Sequence, residues 1–271
     1  MKSKPYVGVA GFMSGDEIMA AIETVPPKST HSLAIGILTS AKTLRGEANK
    51  YPTRYPKVED IAGLVAHGKD VVATNQLPVE FIAHYAVGDI NDVELELERL
   101  GQLVCDAKFD GVQLNLPPHW TGDRRLHGAI LSWLQGVRVI VQIRPPRQGD
   151  PLVDLVESAI GAATNANVTD LLLDASAGQG VELNPVWASM MIHAIRGRLR
   201  IHESMPLGLG VAGGLGPGKL AAVWSLMTTH GPLGFDVESG VRMPGSDEMV
   251  IGSLQRYLRD AWEMLGAHPA P

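Results

Sequence analysis

Two stretches near the end of the chain decide the fold: Leu207 to Leu215 reads LGLGVAGGL, and Gly234 to Val241 reads GFDVESGV. Each is a short apolar run, typical of a buried strand, that gives way to glycine at its C-terminal end. Glycine at that point lets backbone N–H groups crowd around an anion, because no Cβ stands in the way. The two turns together predict a phosphate cradle; the alternative is two ordinary tight turns after buried strands.

The rest of the chain repeats the same unit. Apolar runs of strand length alternate with segments of helical period from end to end, and eight such pairs can be counted. This alternation predicts an α/β protein with a (β/α)8 (TIM) barrel, in which the loops after strands 7 and 8 are the usual place of a phosphate site. The predicted strands are Tyr6–Ala10, Ser32–Leu38, Glu80–Val87, Gly111–Leu116, Arg138–Ile143, Asp170–Asp174, Leu207–Val211 and Gly234–Val237.

Segments of helical period lie between these strands. The predicted helices are Gly15–Glu23, Val58–His67, Asp92–Ala107, Gly128–Leu134, Leu152–Ala163, Asn184–Arg196 and Lys219–His230. A last helix is predicted to begin at an N-cap, Ser246, and to pack an apolar stripe on the barrel wall. The stripe consists of Val250, Leu254, Tyr257, Leu258, Ala261 and Leu265.

One connection is too long for a simple turn. Residues 41–57, AKTLRGEANKYPTRYPK, follow strand 2 at the catalytic end of the predicted barrel and carry five Lys or Arg and two Tyr-Pro pairs. This composition fits a lid, a subunit contact or a disordered loop. The chain shows neither a repeat nor a linker, so residues 1–271 are predicted to form a single domain with a frayed tail at 267–271.

Composition excludes several classes of function. With 45% hydrophobic and 19% charged residues, the chain of 271 residues has the make-up of a globular protein. A net charge of −6 and the lack of a basic block argue against a nucleic-acid partner. There is neither an apolar stretch of about 18 residues nor a signal-peptide core, so we expect no membrane partner and a cytoplasmic location.

Cysteine and histidine usage limits the chemistry further. The single cysteine, Cys105, excludes an internal disulfide, and its place in a predicted helix favours a buried apolar role over that of a nucleophile. The histidines show neither HxH nor HExxH spacing. We therefore predict no metal and no other cofactor; the alternative is a divalent ion held by Asp174, His84 and a substrate.

Strands 3 to 5 place polar residues near the predicted mouth of the barrel. Strand alternation puts Gln113 with Asn115, and Gln142 with Arg144, on one face. Polar residues that point inward at the ends of barrel strands either contact a ligand or satisfy one another. Arg144 favours the first, because a buried arginine needs an anion, and His84 is a weaker candidate of the same kind.

Five short motifs, in the same order, resemble phosphoribosylanthranilate isomerase, the barrel enzyme of tryptophan biosynthesis. In strand order, the family has GFIF-x-x-KSPR, VQLHG, LLLD with a glycine-containing loop, AGGL, and DV-x-SGVE followed by PG. The matching stretches here are GILTSAKTLR at 36–45, VQLN at 112–115, LLLDASAG at 171–178, AGGL at 212–215, and DVESGVR at 236–242 followed by PG at 244–245. The resemblance spans most of the chain at low identity.

The resemblance implies an Amadori rearrangement, in which an acid protonates the ribose ring oxygen and a base removes the proton from C2′. It implies that Asp174 is the acid and that Arg45 faces the carboxylate of the substrate. Asp174 ends a strand of leucines, a position that suits a buried acid, and the arginine fork matches a carboxylate. The implied phosphate donors are the backbone groups around Gly213, Gly214, Ser239 and Gly240.

The chain departs from the family at several of these positions. The family's first strand reads KICG, with the cysteine as base, whereas residues 8–11 read GVAG and put Ala10 there. Loss of one member of an acid/base pair typically costs about 10²- to 10⁴-fold in rate. Asn115 stands for a histidine, Arg242 for a glutamate, and the carboxylate of Glu238 would repel a phosphate in the cradle.

These observations support three hypotheses. The first is an intramolecular isomerase of the aldose–ketose or Amadori type that binds a phosphorylated, sugar-derived small molecule and uses Asp174 as acid/base. The second is a ligand-binding or degenerate family member without catalysis, which Ala10 favours. The third is an epimerase or lyase on an unphosphorylated substrate, which Glu238 would suit. The sequence leaves open whether the chain forms a homo-oligomer.

Overall fold

Eight parallel strands close into a barrel in the computed structural model, which describes residues 4–88, 90–116, 123–144, 152–174, 181–201 and 207–267. Each strand pairs with the next in the chain, and the last pairs with the first. The strands are β1 Tyr6–Ala10, β2 Ser32–Ser40, β3 Val79–Ala86, β4 Gly111–Asn115, β5 Arg138–Ile143, β6 Asp170–Asp174, β7 Gly208–Ala212 and β8 Gly234–Val237. The predicted (β/α)8 barrel is confirmed.

Helices alternate with these strands along the described chain. They are α1 Gly15–Ile22, α2 Ala41–Leu44, α3 Val58–Asn75, α4 Val93–Asp106, α5 Arg124–Trp133, α6 Leu152–Asn165, α7 Pro185–Ile201, α8 Ala221–His230 and α9 Ile251–Ala267. None of the helices within these residues has the length and apolarity needed to cross a membrane.

Three helices before the last differ by more than two residues from their predicted bounds: α7 ends at Ile201 rather than Arg196, and the other two differ for local reasons. α3 continues past His67 to Asn75 because Gly68 lets it lie against the ring of Phe81, which a Cβ at that position would overlap. α5 begins at Arg124 because Asp123 caps it, accepting hydrogen bonds from the backbone N–H groups of Arg125 and Leu126.

The start predicted for the last helix is wrong, while its apolar stripe is largely confirmed. Ser246 lies in an exposed turn, and α9 begins at Ile251, after an antiparallel bridge between Arg242 and Met249 has closed that turn. Val250 is half-buried, and the buried members of the stripe are Leu254, Tyr257, Leu258, Ala261 and Leu265. The predicted tail after Ala267 lies outside the described residues.

The prediction that Cys105 is buried is wrong, because its side chain is exposed. On α4 the positions that face the barrel include Leu97, Leu100 and Val104. Cys105 lies one residue further, about 100° around the helix from Val104, and so faces away from the barrel wall.

An ion network closes the N-terminal end of the barrel interior. The guanidinium of Arg138 donates to both carboxylate oxygens of Asp170, over 2.9 and 2.7 Å, and to Glu80 Oε2 over 2.7 Å. It also lies 4.8 Å from the centre of the Tyr6 ring. A layer of mainly apolar side chains lies inside the barrel, formed by Tyr6, Ala34, Ile82, Ile140, Leu172 and Ala212. The opposite, C-terminal end of the interior is therefore free to carry a separate polar site.

Candidate active site at the barrel mouth

The C-terminal ends of the strands surround a cavity of about 110 Å³. Eight candidate residues named from the sequence line it: His84, Gln113, Asn115, Gln142, Asp174, Gly213, Gly214 and Ser239. Arg45, Arg144 and Gly240 do not line it. Glu238 also lines it, as the sequence analysis expected, and the structure adds Arg54 and Asp236, to which sequence reasoning gave no role.

Two carboxylates share one level of the barrel. In the strand register Asp174 pairs with Ala212, and Ala212 pairs with Asp236. The two aspartates therefore lie in one row, about 10 Å apart at their Cα atoms, since neighbouring strands are about 4.8 Å apart. Because Ala212 between them is small, both side chains reach the same cavity.

Asp174 is buried at the end of β6, with 3% of its surface exposed. Its Oδ2 accepts a hydrogen bond from Nε2 of Gln142 on β5. Gln142 is one of the inward-facing polar residues expected from strand alternation, and its role here is to orient the carboxylate. The amide N–H of Gln142 therefore holds the carboxylate of Asp174 at the wall of the cavity.

Asp236 sits in a different environment on β8. Burial raises its pKa to about 8; the nearby charges of Glu238 and Asp174 also raise it, and a hydrogen bond from Gln113 opposes the change. Among the described residues Asp236 Oδ1 and Gln113 Oε1 have no hydrogen-bond partner. Two buried acceptors without donors make the charged carboxylate costly, and a proton on Asp236 supplies a donor. The raised pKa of Asp236 thus favours its protonated form near neutral pH.

Room for Asp236 comes from a glycine on the neighbouring strand. A Cβ on Gly8 of β1 would stand 2.6 Å from Asp236 Oδ1. The side chain of Asp236 therefore leans over β1, which also carries Ala10 at its end. A carboxyl group from β8 therefore lies next to the strand that ends at Ala10.

The glycine turns after β7 and β8 have the backbone shape of a cradle. Gly213 and Gly214 have φ values of +116° and +57°, which L side chains rarely adopt. A Cβ on Gly240 would overlap the carbonyl oxygen of Leu215, so the two turns touch. Within the described residues, the N–H groups of Gly213, Gly214, Ser239 and Gly240 donate no hydrogen bond. These N–H groups are available to an anion.

The long connection after β2 brings Arg54, rather than Arg45, to the cavity. Arg45 is exposed and its Nε donates to Glu47 Oε1 over 2.7 Å. Arg54 lines the cavity and forms ion pairs with Glu238 and Asp247. The motif in residues 36–45 directed the sequence argument to Arg45, and the only local mark of Arg54 is its position between the two Tyr-Pro pairs.

His84 is half-buried and lines the cavity. A Cβ on Gly36 would stand 2.6 Å from its Nε2, and Gly36 pairs with Ala10 in the register of β1 and β2. Burial lowers the pKa of His84 to about 3, so the imidazole is neutral and a weak base at neutral pH. In the described part of the chain, no three His, Cys, Asp or Glu side chains are grouped so that they could hold a metal ion.

Arg144 and Asn115 contact each other at the rim. Arg144 Nη2 donates to Asn115 Oδ1, while Arg144 Nε has no partner among the described residues. Arg144, which the sequence analysis expected to bind an anion, therefore contacts a neutral amide instead. The small-residue loop expected at 175–178 after β6 lies outside the described residues.

The end of β1 offers no proton acceptor in place of the missing cysteine. Ala10 is 1% exposed, and its carbonyl oxygen and that of Gly11 lie 3.4 and 2.6 Å from Nη2 of Arg242, which donates to both. Arg242, which stands where the family has glutamate, therefore closes the end of this strand.

Comparison with known proteins supports the fold. No protein-family model matches the chain, and no curated protein matches it by sequence. Similar solved structures include N-(5′-phosphoribosyl)anthranilate isomerase from Pyrococcus furiosus, with 15% identity, a TM-score of 0.57, and coverage of 95% of this chain and 98% of that one. Tryptophan synthase subunit alpha from Legionella pneumophila has 15% identity and a TM-score of 0.57, covering 97% and 92%. A Rubisco-like protein from Rhodopseudomonas palustris has 10% identity and a TM-score of 0.58, covering 99% and 65%.

These similarities are spread over proteins with different names, and at such identities they show a shared architecture. The chain is therefore a (β/α)8-barrel protein whose structural neighbours include the phosphoribosylanthranilate isomerases.

Proposed function

We propose that this protein is an isomerase that binds a phosphorylated, sugar-derived small molecule at the mouth of its barrel. The observation that supports this most directly is the row of two carboxyl groups, Asp174 and Asp236, in a cavity that is also lined by two glycine turns. Acid/base groups and an anion cradle in one cavity are what an isomerase of phosphosugars needs.

The two carboxyl groups can divide the proton transfers between them. In an Amadori rearrangement, Asp236 gives its proton to the ribose ring oxygen as the bond from that oxygen to C1′ breaks. Asp174, which the resemblance implied as the acid, acts as the base in this scheme: it takes the proton from C2′, and the enol that results ketonises. Two titratable groups in different environments are a common way to supply both an acid and a base at one pH. This division removes the need for a base at Ala10.

The turns after β7 and β8 would hold the phosphate. Their N–H groups have no acceptor within the described residues, and the turns are in contact at Gly240 and Leu215. An anion bound there would lie at the same end of the barrel as Asp174 and Asp236.

Replacing Asp174 by asparagine is expected to lower turnover of freshly made phosphoribosylanthranilate by about 10²- to 10⁴-fold, because the amide cannot accept the proton from C2′. The loss of substrate fluorescence measures the rate. Asp106→Asn, at the exposed end of α4, is a matched control that should leave the rate unchanged.

The same assay on Ala10→Cys separates the alternatives. A native protein that is inert while Ala10→Cys gains activity would mean that the pocket fits this substrate but that the native chain does not isomerise it. If the native protein, Asp174→Asn and Ala10→Cys are all inert, phosphoribosylanthranilate is not the substrate.

Glu238 supports a second candidate function, an epimerase or lyase on an unphosphorylated substrate. Its carboxylate lines the cavity next to Ser239, where it opposes a bound phosphate. This candidate predicts that inorganic phosphate does not bind at the turns, which a titration can show.

A further inference from the structure

Glu238 is a carboxylate in a cavity whose backbone donors suit an anion, and its partner resolves this conflict. Arg54 Nη1 donates to Glu238 Oε1, so the charge of Glu238 is neutralised from the connection after β2. The same guanidinium lies 5.4 Å from the centre of the Tyr51 ring. Among the described residues that line the cavity, Arg54 is the only lysine or arginine.

One edge of the Arg54 guanidinium is fixed by Asp247, whereas the partner of the other edge, Glu238, can be exchanged. Its Nε and Nη2 both donate to the carboxylate of Asp247, a two-point contact that fixes the plane of the group. The hydrogen bond from Arg54 lowers the pKa of Asp247, so this anchor stays ionised. An arginine has five N–H donors, and three of them are used here. Nη1 donates to Glu238, a residue that lines the cavity.

The two carboxylates bound by Arg54 differ in how freely their side chains can move. Asp247 does not line the cavity, and its backbone N–H donates to Met243 O over 3.0 Å. Glu238 does line it, and its side chain is 36% exposed, against 19% for Arg54. Glu238 can therefore turn towards solvent while Arg54 stays in place on Asp247.

We propose that Arg54 is the phosphate-binding side chain of this site and that Glu238 is a resident carboxylate, which the phosphate of a ligand displaces from it. The proposal rests on the proposed function in that it uses the same cavity and cradle. A phosphate dianion would then be held by the N–H groups around Gly213 and Ser239 on one side and by Nη1 of Arg54 on the other. Glu238 makes the site selective among anions, because only an anion that binds Arg54 more strongly than a carboxylate does can displace it.

The test is titration calorimetry with inorganic phosphate, at fixed ionic strength, on the whole protein. Glu238→Gln removes the competing charge and is expected to tighten phosphate binding about tenfold or more, and Arg54→Met to weaken it by a similar factor. Arg45→Met is the matched control: it removes an exposed arginine of the same connection that does not line the cavity, and should leave the affinity unchanged.

Arg54→Lys covers the case in which Arg54→Met disturbs the fold. Lysine keeps the charge but cannot make the two-point contact with Asp247, so its affinity should fall between those of the native protein and Arg54→Met. Unchanged phosphate binding in both Glu238→Gln and Arg54→Met would overturn the role of Arg54 while leaving the cradle standing. Absence of phosphate binding in every variant, including Glu238→Gln, would instead overturn the proposed function itself.

Discussion

Replacing Arg138 by methionine is expected to lower the free energy of unfolding by about 3–5 kcal/mol, the usual cost of leaving a buried charge without its partner. The side chains of Arg138 and Asp170 are 7% and 4% exposed at the closed end of the barrel. Without the guanidinium, the carboxylate of Asp170 loses its two hydrogen bonds from Arg138 and keeps the one from Thr169 Oγ1, and Glu80 loses its ion pair. Urea unfolding followed by circular dichroism at neutral pH measures the change.

Two control variants test whether the loss of stability comes from the buried ion pair. Arg125→Met breaks an exposed pair with Asp123, whose contact is 3.2 Å, and should cost about 0–1 kcal/mol. Arg138→Met combined with Asp170→Leu removes both buried charges and should recover much of the loss, since a buried pair is often replaceable by apolar residues. A loss in Arg138→Met as small as that in Arg125→Met would show that the network does not stabilise the barrel.

The barrel itself could be predicted because its signals are local. A strand such as Tyr6–Ala10 or Asp170–Asp174 is a short apolar run between breakers, and the structure gives both with the predicted bounds. Boundaries shifted where a contact between distant residues decides them, as at Gly68 against Phe81. Cys105 was misplaced because its exposure depends on which face of α4 meets the barrel, and this is fixed by packing rather than by the residue type.

The site was only partly predictable, because its remaining members depend on the closure of the barrel. Asp174 could be named because the resemblance implied an acid at the end of this strand of leucines. The setting of Asp236 depends on β8 lying next to β1, where Gly8 leaves room for its carboxyl group. Arg54 is held at the cavity by its contact with Asp247, which lies 193 residues further along the chain. No local sequence pattern predicts a contact between residues so far apart.

Replacing Asp236 by asparagine is expected to stabilise the protein above neutral pH and to abolish most of its turnover. The pKa of Asp236 is raised to about 8 in the folded protein, against about 3.9 for an aspartate in an unfolded chain. Between these values the folded state holds a proton that the unfolded state has lost. The stability that this proton contributes is complete below about pH 4 and is lost as the pH rises through about 8, with a slope of about 1.4 kcal/mol per pH unit.

Asparagine stays neutral at every pH, so the variant lacks this slope. Urea unfolding at pH 5 and pH 8 should show the native protein losing several kcal/mol relative to Asp236→Asn. Glu238 and Asp174, the charges that act on Asp236, are the same in both proteins, so the difference between them isolates Asp236. Parallel stability profiles for the two proteins would mean that Asp236 carries no proton in the folded state near neutral pH.

Turnover decides whether that proton is used. An asparagine cannot protonate the ring oxygen, so the rate for phosphoribosylanthranilate should fall by about 10²- to 10⁴-fold in Asp236→Asn even where the variant is the more stable protein. A carboxyl group kept only for structure would give the gain in stability without the loss in rate. A residue that lowers stability and is still required for turnover is typical of an active site, since such sites keep strained or poorly solvated groups for their chemistry. The two measurements on one variant therefore separate a buried acid that takes part in the reaction from one that is merely buried.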